Sequence, residues 1–238
     1  MNFNYQMRFS KTGRARFIAH LDTLSCLMRA IRRAGFEFAL TQGMRPKPVL
    51  SLAMPLGVGV EGEDEICDFS LQQRAPLTEL AKKLGSELPE GMELKSVGPS
   101  FDRTKSASRV QSVSYRIELA GAPAGLSEAA GRYNGESAIV LLRKRPKGDK
   151  EVDIKKYVRQ VELSEGDADP QGITFDMAVT SEGTGRPDEI IGALSGICGE
   201  DIRISRIVRT SIVIKEEATP VPARPGHNGR ATYRGKRR

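Results

Sequence analysis

Residues 3–55, FNYQMRFSKTGRARFIAHLDTLSCLMRAIRRAGFEFALTQGMRPKPVLSLAMP, contain the patterns that decide the fold. Apolar and polar side chains alternate over residues 3–9, which is the period of a half-buried strand. Apolar residues then recur at helical spacing over residues 18–31. Prolines and a glycine make residues 41–48 a loop, and residues 49–53 are predicted to form a second strand.

The next segments extend this order to β-α-β-β-α-β. A strand is predicted at residues 66–71, a helix begins at Pro76, and another strand covers residues 92–97. This order is typical of the ferredoxin-like (split βαβ) arrangement, an antiparallel four-stranded sheet with two helices on one face. The sequence GVGVEG at residues 57–62 has the spacing of a dinucleotide-binding loop, but acids and a strand follow it instead of a helix. We interpret it as a glycine-rich hairpin connection.

The second half of the chain nearly repeats the pattern, with one extra β element. The sequence therefore predicts an α+β fold of two tandem ferredoxin-like domains with antiparallel sheets, at residues 1–98 and 112–216. A polar linker is predicted at residues 99–111. Residues 217–238 are rich in proline, glycine and basic residues and have almost no large apolar side chains, which predicts a disordered basic C-terminal tail.

The charge of the chain is concentrated in two segments. Residues 8–55 contain nine lysines and arginines against two acids, and residues 218–238 contain six basic residues and no acid. Because the whole chain carries only +7, the remainder is acidic, at −6. Two basic segments on an acidic body favour a polyanionic partner.

The loops on either side of the first helix supply candidate phosphate ligands. In the predicted topology both loops lie at the ends of strands that flank this helix, so we expect them to converge on one surface. Guanidinium and ammonium groups bind phosphate, and Phe9 or Phe17 could stack on a base. Solvated loop charges, and helix arginines that complement the helix dipole, are the competing interpretation. The candidate nucleic-acid-binding residues are Lys11, Arg14, Arg16, Arg29, Arg33, Gln42, Arg45 and Lys47.

Evidence for catalysis is sparse. His20 is a weak candidate for a general acid or base, because the ordinary pKa of histidine lies near neutral pH, but a capping or structural hydrogen bond explains it equally simply. The sequence has no Walker A loop, no cluster of metal ligands and no cofactor fingerprint, so no cofactor and no metal are expected.

Cysteine usage and hydropathy bear on the location of the protein. Cys26, Cys67 and Cys198 are far apart and odd in number, which favours neither a disulfide framework nor a zinc site. No apolar run approaches the ~20 residues that span a bilayer, and basic residues occupy the place of a signal peptide's apolar region. We expect a cytoplasmic protein with no membrane partner.

Residues 5–71 closely resemble a family of radical-SAM-linked bacterial proteins, and the resemblance extends more loosely to EVDIKKYV at residues 151–158 and SEGTGRPDEII at residues 181–191. Members of that family occur alone or fused behind a cobalamin-binding radical SAM enzyme. This chain lacks the three-cysteine cluster of such an enzyme, so the resemblance implies a radical SAM partner in trans. The loop at residues 44–48 has no counterpart of the histidine that family members tend to carry there.

We therefore expect a non-catalytic RNA-binding accessory module that acts with a radical SAM enzyme in tRNA or rRNA modification or in ribosome maturation. Two alternatives stay open. One is an RNA-processing enzyme that uses His20. The other is a protein adaptor whose helix arginines contact the radical SAM enzyme or a ribosomal protein.

Overall fold

The first half of the chain forms a four-stranded sheet with two helices. The computed structural model describes residues 2–100, 105–121, 123–146, 148–164 and 172–215. The elements of the first half are β1 (Phe3–Lys11), a 3-10 helix (Gly13–Phe17), α1 (His20–Arg33), β2 (Leu50–Leu52), β3 (Val60–Leu71), α2 (Leu77–Glu87) and β4 (Met92–Pro99). The strands lie in the order β2-β3-β1-β4, and every neighbouring pair is antiparallel. This order is the predicted ferredoxin-like arrangement.

The second half repeats this arrangement with an inserted hairpin. Its elements are β5 (Val110–Leu119), α3 (Leu126–Gly135), β6 (Val140–Arg143), β7 (Lys150–Asp153), β8 (Glu162–Leu163), β9 (Gly172–Thr180), β10 (Gly183–Thr184), α4 (Pro187–Cys198) and β11 (Ile204–Ile214). The order β8-β9-β5-β11 matches that of the first half, and β6 and β7 form a separate two-stranded ribbon. The predicted α+β class with two ferredoxin-like units is confirmed.

One pairing joins the two sheets. Three residues of β11, Ile207–Arg209, pair in parallel with Val60–Gly62 at the start of β3. Further along, β3 is covered on the same edge by β2. The result is a continuous nine-stranded sheet in which β3 is shared between the halves.

Two hydrophobic clusters hold the layers together, one for each half. In the first cluster the inward-facing side chains of β1 meet residues of both helices, and it includes Tyr5, Met7, Phe9, Leu27, Ile31, Leu80 and Leu84. These are the apolar positions of the predicted alternation and of the helical spacing. The second cluster belongs to the second half but also takes in Ala53 and Ile66. Fully burying one such side chain contributes about 1.5–3 kcal/mol.

The third strand begins earlier than the sequence predicted. We expected it to start at residue 66, because the acids of residues 61–65 are unusual in a strand, but β3 begins at Val60. The carboxylates are accommodated because arginines from neighbouring elements neutralise them, as described below.

Residues 105–110, in the segment predicted to be a linker, pack on the first half. The backbone N–H and the hydroxyl of Ser106 donate to the carboxylate of Asp68 at 2.6 and 2.8 Å. Gln6 donates to the Ser106 hydroxyl at 2.8 Å, and Ser106 is fully buried. Residues 101–104 and the predicted disordered tail at 217–238 lie outside the described residues. Within the described part of the chain, no helix has the length and apolar character needed to cross a bilayer.

Candidate nucleic-acid interface

The acidic run of β3 binds arginines from four other elements. Residues 61–65 carry four carboxylates, and each of them forms at least one ion pair. The pairs are Glu61–Arg16, Glu61–Arg206, Glu63–Arg116, Asp64–Arg8 and Glu65–Arg209. At the sequence level this run served only to argue against phosphate binding. In the fold it neutralises cations that the sequence had offered as phosphate ligands.

The innermost of these pairs is fully buried at the seam between the halves. Arg209 donates from Nε to Glu65 Oε1 at 2.9 Å and from Nη2 to Oε2 at 2.5 Å. Its remaining donors reach the carbonyl oxygens of Pro55 and Met54. Burial alone would lower the pKa of Arg209, but attraction to Glu65 outweighs it and the pKa is raised. The guanidinium therefore remains charged inside the protein.

Lys11 belongs to the same buried cluster. Its residue surface is 1% exposed, and its ammonium group donates to the carbonyl oxygen of Ile18 at 2.7 Å. Burial lowers its pKa, attraction to Glu65 partly offsets this, and repulsion from Arg209 lowers it further. Lys11 thus has almost no accessible surface to offer a phosphate.

The glycines at residues 57–62 have structural roles. Gly59 has a positive φ of 86°, which favours glycine. A Cβ on Gly62 would lie 2.7 Å from Cγ of Glu65 and would press on the buried carboxylate. The resemblance to a dinucleotide-binding loop is therefore explained by a turn and by the close packing of Glu65.

Gly62→Ala is expected to lower the free energy of unfolding by roughly 1–3 kcal/mol, the usual cost of overpacking an ordered core. The added methyl group must displace Glu65 from Arg209, and urea denaturation followed by circular dichroism measures the loss. Gly98→Ala is the matched control, because a Cβ there meets nothing within 4 Å. Equal stability of the two variants would show that Glu65 is not tightly held.

His20 is the first residue of α1 and turns one nitrogen toward this cluster. Its Nδ1 is buried and has no hydrogen-bond partner among the described residues. Beside it lies a cavity of about 10 Å³ lined in part by Lys11 and Glu65. Such a space holds about one water molecule. A nucleotide cannot reach Nδ1 through it.

The loop predicted at residues 41–48 is a hairpin at the far end of β3. The N–H of Thr41 donates to the carbonyl oxygen of Lys47 at 2.8 Å, and the N–H of Lys47 returns to the Thr41 hydroxyl at 3.0 Å. A bridge between Leu40 and Pro48 closes its base. Gln42, Arg45 and Lys47 are all exposed on this hairpin.

The C-terminal end of α1 lies beside the hairpin. Arg32 and Leu40 line the same cleft of about 540 Å³, together with Glu37 and Gln72. Arg29 is one turn earlier on the same side of the helix, since residues three apart are neighbours there. We call the set Arg29, Arg32, Gln42, Arg45 and Lys47 the basic end surface. Within the described chain none of its four cations pairs with a carboxylate.

The structure separates the predicted binding residues into two groups. The Arg16 carbonyl accepts from Gly59 and its guanidinium pairs with Glu61, near the start of β3, whereas Ala39 and Val49 of the hairpin stem bond to Ser70, near the strand's end. At about 3.3 Å per residue these two places are roughly 30 Å apart. The expected convergence of the two loops is therefore wrong.

The individual outcomes follow from this geometry. Lys11 is buried, Arg16 pairs with Glu61, and Arg33 pairs with Glu87 of α2 at 2.7 Å. Arg14 is exposed, but at the opposite end from the hairpin. The predicted residues that share one surface are Arg29, Gln42, Arg45 and Lys47. Arg32 was not among the candidates, although its spacing of three from Arg29 is a signal that could have identified it.

The three cysteines differ in accessibility. Cys67 is fully buried, and burial, together with the neighbouring Asp68 carboxylate, raises the pKa of its thiol. Cys26 and Cys198 are partly exposed. Because the thiolate is the reactive form, native protein treated with a disulfide-exchange reagent should modify Cys26 and Cys198, and Cys67 only after unfolding. Rapid loss of all three thiols from native protein would contradict the packing of β3.

Comparisons with solved structures give distant likenesses. A chain of a Cbf5-Nop10-Gar1 complex matches at 10% identity and a TM-score of 0.49, covering 87% of this chain and 48% of that chain. This protein thus spans about half the length of that relative. An unknown protein from Galdieria sulphuraria matches at 11% identity and a TM-score of 0.27, covering 86% and 99%. The small subunit of acetolactate synthase from Thermotoga maritima matches at 10% identity and a TM-score of 0.26, covering 92% and 99%.

Comparisons of sequence give one family match. No curated protein matches the chain. The sequence model of one protein family, described as "Uncharacterized protein conserved in bacteria (DUF2344)", matches residues 4–187.

Proposed function

Since the chain belongs to this family of bacterial proteins, which brings no activity with it, we propose a function from the geometry: a non-catalytic RNA-binding accessory module. The observation that carries the proposal is the basic end surface. Four exposed cations without carboxylate partners in the described chain lie on a helix end and an adjoining hairpin. Guanidinium forks and an ammonium group in such a position suit the phosphates of a polyanion.

The contrast with the other cations supports this assignment. Arg8, Arg16, Arg116, Arg206 and Arg209 all have carboxylates at ion-pair distance. The cations of the basic end surface remain solvated in a part of the fold where pairing is otherwise common. An unpaired cation loses less on meeting a phosphate, because it has no existing partner to give up.

RNA is favoured over duplex DNA by the shape of the surface. A hairpin and the end of a helix bracket an open cleft lined by Phe36 and Phe38 as well as Arg32. Aromatic and guanidinium faces stack on the unpaired bases that tRNA and rRNA present in loops. Glu37 also lines this cleft and keeps it from being uniformly positive.

A radical SAM enzyme in trans is the proposed partner. The support for it is the sequence resemblance at residues 5–71, and the reaction would be a modification of tRNA or rRNA or a step of ribosome maturation. We assign the chemistry to that partner and a holding role to this chain. The buried Nδ1 of His20, beside space for about one water, supports the non-catalytic assignment over an RNA-processing enzyme.

RNA affinity measured against salt concentration tests the proposal. Fluorescence anisotropy with labelled tRNA and with an rRNA fragment should give a logarithm of affinity that falls linearly with the logarithm of salt. Four phosphate contacts predict a slope of about −3 for single strands. Binding that is absent at low salt, or that does not respond to salt, would contradict an electrostatic RNA surface.

A further inference from the structure

An apolar patch is exposed at the opposite end of the first half from the basic end surface. Phe17, at the end of the 3-10 helix, is 60% exposed, Leu21, in the first turn of α1, is 73% exposed, and Val58, in the connection before β3, is 63% exposed. Single exposed apolar residues are ordinary, but three large ones together mark an interaction surface.

Backbone contacts bring the three residues together. The N–H of Gly59 donates to the carbonyl oxygen of Arg16 at 2.9 Å, which places Val58 beside Phe17. Phe17 and Leu21 are four residues apart, on either side of the entry to α1. The guanidinium of Arg16 lies 4.8 Å from the centre of the Phe17 ring and holds that ring in place. We call Phe17, Leu21 and Val58 the apolar patch.

The surroundings of the apolar patch favour negative charge. Arg14 is exposed and makes no ion pair within the described residues, and side chains three apart in a 3-10 helix lie on one side, so Arg14 accompanies Phe17. The N-cap residue of α1, Ala19, provides no side-chain acceptor for the first-turn N–H groups. The positive end of the helix dipole is thus only partly offset by Asp22.

We propose that the apolar patch docks a segment of another protein that carries large apolar side chains flanked by carboxylates. The apolar residues of such a segment would cover Phe17, Leu21 and Val58, and its acids would meet Arg14 and the start of α1. Aromatic residues and arginines are enriched at the centres of protein interfaces. Leu21 and Val58 provide no stacking face, which makes a nucleic acid the poorer occupant.

This inference is independent of RNA binding. The two surfaces are roughly 30 Å apart along β3, so one molecule could hold RNA at one end and a protein at the other. Their loss can therefore be measured separately. Variants of the apolar patch should keep RNA affinity, and variants of the basic end surface should keep peptide affinity.

A displayed library of short random peptides tests the proposal. The full chain is the bait, and the Phe17→Ser/Leu21→Ser/Val58→Ser variant is used for counter-selection. We expect surviving peptides to combine at least one large apolar residue with adjacent aspartates or glutamates. A synthetic peptide of this sequence should bind the wild type and lose at least about tenfold in affinity on the triple serine variant.

Charge variants separate the two parts of the proposal. Arg14→Glu should weaken the same peptide, whereas Lys95→Glu, an equal change of charge at an exposed position of β4, should not. All the substituted residues are exposed, so unchanged unfolding curves are expected and are checked first.

Four results would overturn the proposal. The first is the absence of surviving peptides, and the second is survivors without acids. The third is a loss of RNA affinity in the triple serine variant, which would make the apolar patch a base-stacking surface. The fourth is a wild-type dimer in light scattering that the same variant dissociates, which would make it a self-association surface.

Discussion

Glu65→Gln is expected to lower the free energy of unfolding by about 3–5 kcal/mol, because it leaves a buried guanidinium without its counter-charge. The Arg209 and Glu65 side chains are only 1% and 3% exposed, and Lys11 adds a second buried cation beside them. Removing the one carboxylate would leave two positive charges at the seam where β3 meets β11. Urea denaturation at constant pH, followed by circular dichroism, measures the change.

Glu63→Gln is the matched control for this prediction. It makes the same chemical change two residues away in β3, but the Glu63–Arg116 pair is about a third exposed. Exposed pairs contribute about 0–1 kcal/mol, so this variant should be close to the wild type. Replacing both members of the buried pair, as in Glu65→Met/Arg209→Met, should restore much of the stability. A small effect of Glu65→Gln, equal to that of the control, would contradict a charged buried pair.

The variant Arg29→Ala/Arg45→Ala/Lys47→Ala is expected to weaken RNA binding roughly 100-fold, at about 1 kcal/mol for each charged side chain removed from a phosphate. The slope of the logarithm of affinity against the logarithm of salt should become shallower by about three, one for each phosphate released. Arg32 remains in this variant, so residual salt dependence is expected. Anisotropy with labelled tRNA gives both quantities from one titration series.

Two controls identify the source of any weakening. Lys82→Ala/Lys95→Ala/Lys105→Ala removes the same charge from exposed positions outside the basic end surface and should leave affinity within a few-fold of the wild type. A full-length chain with its six tail cations changed to glutamine measures the share of the C-terminal segment. If the lysine control weakens binding as much as the basic-end variant, only overall charge matters and the proposed surface is wrong.

The elements of the first half could be predicted because each pattern is local. Tyr5, Met7 and Phe9 alternate with polar residues and face the core, so a period of two was enough to place β1. The helical spacing that ends near Ile31 predicted α1 to within two residues. Prolines and glycines marked the hairpin at residues 41–48 for the same reason.

The seam between the halves could not be predicted, because its contacts join distant residues. The parallel pairing of Val60–Gly62 with Ile207–Arg209 has no local signature. Glu65 and Arg209 are 144 positions apart, and charged residues are rarely buried unless paired, so both were expected at the surface. The acidic start of β3 was assigned to a connection for the same reason.

The candidate site was predicted in part. The composition correctly drew attention to the cations around α1, but it could not say which of them a carboxylate would claim. Arg33 and Glu87 are 54 positions apart, and Arg16 and Glu61 are 45 apart. The direction of β3 also mattered, because it separates Arg14 from Arg45 and Lys47. Sequence proximity to α1 therefore did not imply a common surface.

Ultraviolet crosslinking of the full-length protein to tRNA and to rRNA, with the crosslinked peptides identified by mass spectrometry, tests RNA binding by the basic end surface most directly. We expect crosslinks within residues 29–47, from the last turns of α1 through the hairpin. Crosslinks confined to other parts of the chain, or none at a salt concentration where binding is measured, would contradict RNA binding at this surface.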